Sequence, residues 1–108
     1  MGHLIKKLMP GDKARLSIEE PPLFTDISVV SIYDDMPARV TLYSSLDGRT
    51  EELEEGGMFT TDLKGRRVDV KFSGLERDHR KSVLPAKLVF RAENVVKFHF
   101  ERKDGKRV

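Results

Sequence analysis

Arg102, Lys103, Lys106 and Arg107 crowd into the last seven residues of this 108-residue chain. Guanidinium groups form forked, charge-assisted hydrogen bonds with phosphate and carboxylate, and an ammonium adds a compact point charge. The chemistry these residues offer is therefore the holding of an anion, with Arg102, Lys103 and Arg107 as the ligand-binding candidates. A second basic group, Arg77, His79, Arg80 and Lys81, falls in a charged stretch that reads more simply as solvated surface.

Other chemistries are hard to assemble from this inventory. His3, His79 and His99 lie far apart, and no two have metal-ligand spacing. No Gly-x-Ser-x-Gly elbow occurs, and no glycine-rich loop follows a strand to open a helix. The run Glu51-Glu52-Leu53-Glu54-Glu55 reads as a solvated loop, because like charges repel unless a cation holds them. The chain has no cysteine, which removes disulfides, thiolate zinc sites and cysteine nucleophiles together. We expect no catalytic residue, no metal site and no enzyme activity.

Composition sets the outer bounds. Hydrophobic residues at 38% allow one domain with a modest core, and exceed what a disordered chain carries. No apolar run approaches the roughly 20 residues needed to span a bilayer, so no membrane helix is expected. The net charge of +2 is not the strong excess of a nucleic-acid-binding domain. Charge is unevenly placed, however: residues 47–62 are acidic and 64–108 basic. A single asparagine, no glutamine and 35% charged residues point to a thermophilic source, and the lack of cysteine fits a cytoplasmic one.

The elements that must carry the basic segment alternate with period two. Val96, Phe98 and Phe100 face one way and Lys97, His99 and Glu101 the other, a half-buried strand over 95–101 that feeds the basic residues. Upstream, Pro10-Gly11-Asp12 marks a turn, followed by a strand with Ala14, Leu16 and Ile18 on one face. Residues 25–33 read as a strand whose apolar face changes parity between Val29 and Val30, as a β-bulge or burial on both faces would require. Strands also follow at 39–43, 58–63, 68–72 and 86–91. Ser44 to Gly57 reads as a long polar loop with room for one helical turn, and Ala92-Glu93-Asn94 as a hairpin loop. His3 and its neighbours read as a tag-like start. The expectation is an all-β fold, a small antiparallel split β-barrel of about six or seven strands over residues 1–101, with 102–108 a basic C-terminal segment.

The chain resembles the N-terminal domain of the flagellar brake proteins, two-domain cyclic di-GMP effectors of the YcgR type, in which a small split barrel precedes a PilZ barrel. The similarity runs over residues 5–108. It begins at Pro10-Gly11-Asp12-Lys13-Ala14-Arg15-Leu16 and continues through Met58–Leu63 and Val68–Phe72. It ends on Leu84-Pro85-Ala86-Lys87-Leu88-Val89-Phe90 and Val96-Lys97-Phe98-His99-Phe100-Glu101. The family then carries two adjacent arginines, three variable residues and a further arginine. Arg102-Lys103-Asp104-Gly105-Lys106-Arg107 is similar to that frame, with Lys103 at the second arginine. The resemblance implies that these residues grip the phosphates and guanine faces of cyclic di-GMP as two domains close. A lysine there lacks the planar fork. The PilZ motif would lie beyond Val108, so the resemblance implies poor dinucleotide binding by this domain alone.

The expected function is thus a non-enzymatic regulatory binding module, with the basic segment as a partial phosphate clamp. By the same resemblance its partner is a PilZ-type domain or a flagellar motor or switch protein. One rival is a small barrel that binds single-stranded nucleic acid through Arg66, Arg67, Lys71, Arg77, Arg80 and Lys87. It is weakened because Phe72, Phe90, Phe98 and Phe100 all sit on expected core faces, leaving Tyr33 and Tyr43 for stacking. A flavin carrier lacks a phosphate loop. A structural β-domain of a larger assembly stays open, as do the oligomeric state and strand order.

Overall fold

Alternation of apolar and polar residues, broken by glycine and proline, decides most of this architecture. A computed structural model describes residues 2–77 and 84–106. The fold is all-β. Its nine strands are β1 (Gly2–Leu8), β2 (Lys13–Ile18), β3 (Leu23–Tyr33), β4 (Arg39–Ser44), β5 (Arg49–Glu54), β6 (Met58–Leu63), β7 (Arg66–Leu75), β8 (Ala86–Ala92) and β9 (Lys97–Glu101). Among the described residues no helix is long and apolar enough to cross a membrane.

The strands form two antiparallel sheets, ordered β1-β8-β7-β6 and β5-β4-β3-β2-β9. Their inner faces share one core. Val68, Val70 and Phe72 of β7 meet Leu88 and Phe90 of β8, and Leu16, Ile27, Val40 and Leu42 come from the other sheet, all essentially fully buried. Each such side chain contributes about 1.5–3 kcal/mol through burial. Phe90 lies at the centre, edge-on to Phe100 at 5.3 Å and to Phe98 at 6.1 Å. Those contacts tie β8 to β9 across the two sheets. The hydroxyls of Thr25 and Ser44, buried in the same core, satisfy each other at 2.8 Å.

The two sheets are not closed into a continuous barrel. Where β5 gives way to β6 the chain crosses between sheets, and the crossing is bonded to β7 of the four-stranded sheet: Gly56 N–H donates to Phe72 O at 2.8 Å, and Phe72 N–H to Gly57 O at 3.0 Å. At the other side no ladder joins β1 to β9.

The structure corrects several expectations. Among the described residues the strand count is nine rather than six or seven. The tag-like start is β1, paired with β8 from Gly2↔Ala92 to Leu8↔Ala86. The long polar loop contains β5, paired with β4 from Arg39↔Glu54 to Ser44↔Arg49, and no helical turn. The connection after Ala92 is tight, with Val96 N–H donating to Glu93 O at 3.0 Å, yet it is no hairpin loop. β8 and β9 lie in different sheets because Phe98 and Phe100 face Phe90 across the core rather than beside it. The parity change in β3 is a bulge: the ladder to β4 shifts register between Val29 and Ser31, so Val29 is buried and Val30 exposed.

Candidate functional site: the C-terminal turn and Asp12

β9 ends at Glu101 and the chain turns at once. Gly105 N–H donates to Arg102 O at 2.9 Å, and Arg102 N–H to Lys106 O at 2.6 Å, closing a tight loop over 102–106. Gly105 has φ of +86°, and the Lys106 amide is capped by Asp104 Oδ1 at 2.9 Å. The basic segment is therefore folded, and its base is set by the end of a strand.

What fixes it to the body is Asp12. The Pro10-Gly11-Asp12 turn between β1 and β2 buries this carboxylate; its side chain is 3% exposed. Oδ2 accepts the Met9 amide at 2.8 Å and Oδ1 accepts the Lys103 amide at 3.0 Å. Arg102 Nη1 stands 3.6 Å from Oδ2, with the Arg102 side chain 46% exposed. The turn itself is locked to β3, because Gly11 N–H donates to Val29 O at 2.8 Å and Val29 N–H to Asp12 O at 3.0 Å. A buried carboxylate costs free energy unless it is bonded, and here its oxygens have both amide and guanidinium partners.

Lys103 approaches the same turn from above. A Cβ at Gly11, whose φ is +92°, would stand 2.7 Å from Lys103 Cδ, so the lysine stem lies directly on the glycine backbone. Only glycine tolerates both that φ and that approach. The result is an open depression of about 450 Å³ lined by Met9, Pro10, Asp12, Arg102, Lys103 and Asp104. Its lining is apolar at Met9 and Pro10, and Arg102 and Lys103 share the charged rim with the Asp12 and Asp104 carboxylates.

Of the three ligand-binding candidates, Arg102 and Lys103 are placed side by side at this rim, and Arg107 lies outside the described residues. Sequence reasoning missed Asp12 as their anchor. It recognised Pro10-Gly11-Asp12 as a turn, but nothing local announces a partner 91 residues away.

The other basic groups are mostly engaged. Arg66 pairs with Glu93 at 2.8 Å, Arg67 with Asp69 at 2.9 Å, Arg77 with Asp34 at 3.2 Å and Lys87 with Glu76 at 3.8 Å. Arg80, His79 and Lys81 lie outside the described residues. Exposed aromatics do occur on the outer face of the five-stranded sheet, at Phe24, Tyr33 and Tyr43. Two are already covered: the Arg15 guanidinium sits 4.1 Å from the Phe24 ring centre and Arg39 4.6 Å from that of Tyr33. Arg15 also forks onto Asp26 at 2.8 and 3.0 Å, and that hydrogen bonding holds the Asp26 carboxyl below the usual carboxylate range against the opposing effect of burial. Among the described residues no group of three or more His, Asp or Glu is placed to hold a metal ion. Comparison of the chain with family models, with curated proteins and with solved structures found no match.

Proposed function

We propose that this chain is a non-enzymatic regulatory binding module whose C-terminal turn is one half of a phosphate clamp. The β-domain is its protein-interaction body, and the setting is cytoplasmic. In this reading Arg102 and Lys103, continued by Arg107, receive a phosphodiester such as that of cyclic di-GMP when a second domain of PilZ type supplies the opposite wall. A flagellar motor or switch component is the downstream partner. Ligand acts by population shift, fixing the two domains in the orientation that favours one partner-binding state.

One observation carries this reading. The basic turn is docked, with its backbone bonded to Asp12 and its cationic groups at the rim of an open depression. A preorganised cation pair pays less ordering entropy on binding than a frayed tail would. Arg102 is only half engaged by Asp12, so a phosphate can reach its exposed face.

The test is titration with cyclic di-GMP, first of this chain alone and then of a fusion to a PilZ barrel. Binding should be weak alone and rise by at least about tenfold in the fusion, then fall again on Arg102→Ala, since one charge-assisted contact is worth about 1.5–3 kcal/mol. Equal affinity with and without the second barrel would end this reading. The single-stranded nucleic-acid alternative draws less support, because most of its basic groups are paired and two of its three exposed rings are occupied.

A further inference from the structure

The edges of the two sheets meet without pairing at β1 and β9, and their directions explain why. β1 is antiparallel to β8, and the tight turn at Glu93–Val96 reverses the chain from β8 into β9. β9 is antiparallel to β2, and the turn at Met9–Asp12 reverses the chain from β1 into β2. Both routes make β1 and β9 run the same way. They cannot form an antiparallel ladder with each other, but a single strand running opposite to both could pair with each.

The lining of this seam specifies what would enter. Leu4, Lys6 and Leu8 oppose Phe90, Leu88 and Ala86, all fully buried, so these three side chains face inward. Phe98 and Phe100 oppose Leu16 and Ala14 and face inward too. Leu8 and Phe100 are covered, whereas Leu4 remains 36% exposed and Phe98 is only partly buried. Lys6 is a cation on the core side of the wall. Its amino group lies 5.1 Å from the Phe100 ring centre, and it has no ion pair among the described residues. Outside, the seam is flanked by His3 on β1 and by Lys97 and His99 on β9, with Lys7 of β1 paired to Glu76 at 3.4 Å and Glu101 alone of the acids on those two strands.

We infer that the β1–β9 seam is a strand-addition site for an extended acidic segment of a partner protein. The incoming strand bonds the open edges of β1 and β9 and joins the two sheets into one run of ten antiparallel strands. Such augmentation takes its affinity from main-chain bonds and its specificity from alternate side chains. Leu4 and Lys6 are two residues apart, so an antiparallel partner must place a carboxylate opposite Lys6 and, two residues later, an apolar side chain over Leu4 and Phe98. The recognised pattern, read from N to C, is acid, any residue, apolar residue. A second copy of β1 does not fit, because it carries no carboxylate to set opposite Lys6. The inference uses none of the residues of the phosphate clamp and stands if that reading fails.

The probe is a ten-residue synthetic peptide with glutamate and valine two apart in a threonine background, titrated into the full chain and followed by amide shifts. Shifts should be confined to β1 and β9. Lys6→Glu should weaken binding about tenfold, the size of one close charge pair, and a peptide with lysine for the glutamate should bind that variant better than the native chain. Lys6→Gln, checked by its melting temperature, separates loss of recognition from loss of fold. The inference is overturned by shifts elsewhere, by affinity indifferent to residue 6, by no binding at millimolar peptide, or by concentration-dependent dimerisation through β1.

Discussion

Asp12 Oδ1 accepts the backbone amide of Lys103 at 3.0 Å across 91 residues of chain, joining the first turn of the fold to the last. A side chain that bonds two amides and faces a guanidinium organises three segments at once, and the consequences can be measured.

Asp12→Ala should destabilise the domain by about 1–3 kcal/mol, because the Met9 and Lys103 amides lose their buried acceptor. Urea denaturation reads the loss. Hydrogen exchange should show the Lys103 amide unprotected while β7 amides keep their protection. Asp12→Asn, which retains an acceptor oxygen, should cost less.

Gly11→Ala should cost at least about 1 kcal/mol from backbone strain alone, since φ there is +92°. It should also dislodge the Lys103 stem, which a new Cβ would meet at 2.7 Å. Gly48→Ala is the control: its φ is +64° but nothing lies within 4 Å, so only the strain remains. The excess loss of melting temperature at Gly11 carries the Lys103 contact together with the added strain of its wider φ.

Lys103→Arg should raise the affinity of the two-domain fusion for cyclic di-GMP by about threefold to tenfold, because a planar fork replaces a point charge. Calorimetry of the fusion checks this. An unchanged affinity would separate Lys103 from the clamp and leave it a structural cover for Gly11.

The Arg15–Asp26 pair gives a pH dependence of defined sign. The Asp26 pKa is depressed in the folded chain, chiefly by the hydrogen bond from Arg15. Its contribution is therefore complete above the unfolded carboxyl value of about 3.9 and is lost as pH falls through the lower folded value. Half-exposed Arg15 limits the pair to no more than about 1 kcal/mol. Urea midpoints below about pH 4 should fall more for the native chain than for Asp26→Asn.

Central strands were legible in the sequence because both of their faces are constrained. Val68, Val70 and Phe72 alternate with polar residues and are fully buried, and the Val29–Val30 parity change marked a true bulge. Of the edge strands, β6 and β9 were legible and β1 and β5 were not. β5 buries one apolar side chain, Leu53, among charged neighbours, so its composition is that of a loop. β1 hides its alternation because an inward position is occupied by Lys6. The basic cluster was visible as a cluster in the sequence. Its anchorage was not, since a long-range bond from a buried aspartate leaves no local periodicity.

The unpaired line between β1 and β9 leaves the wall of this molecule slit lengthwise on that side. Asp12 sits where the two lips come together, since it holds the end of β1 through Met9 and the exit of β9 through Lys103. Asp12 is thus a clasp at one end of that slit, and losing its carboxylate frees both lips there at once.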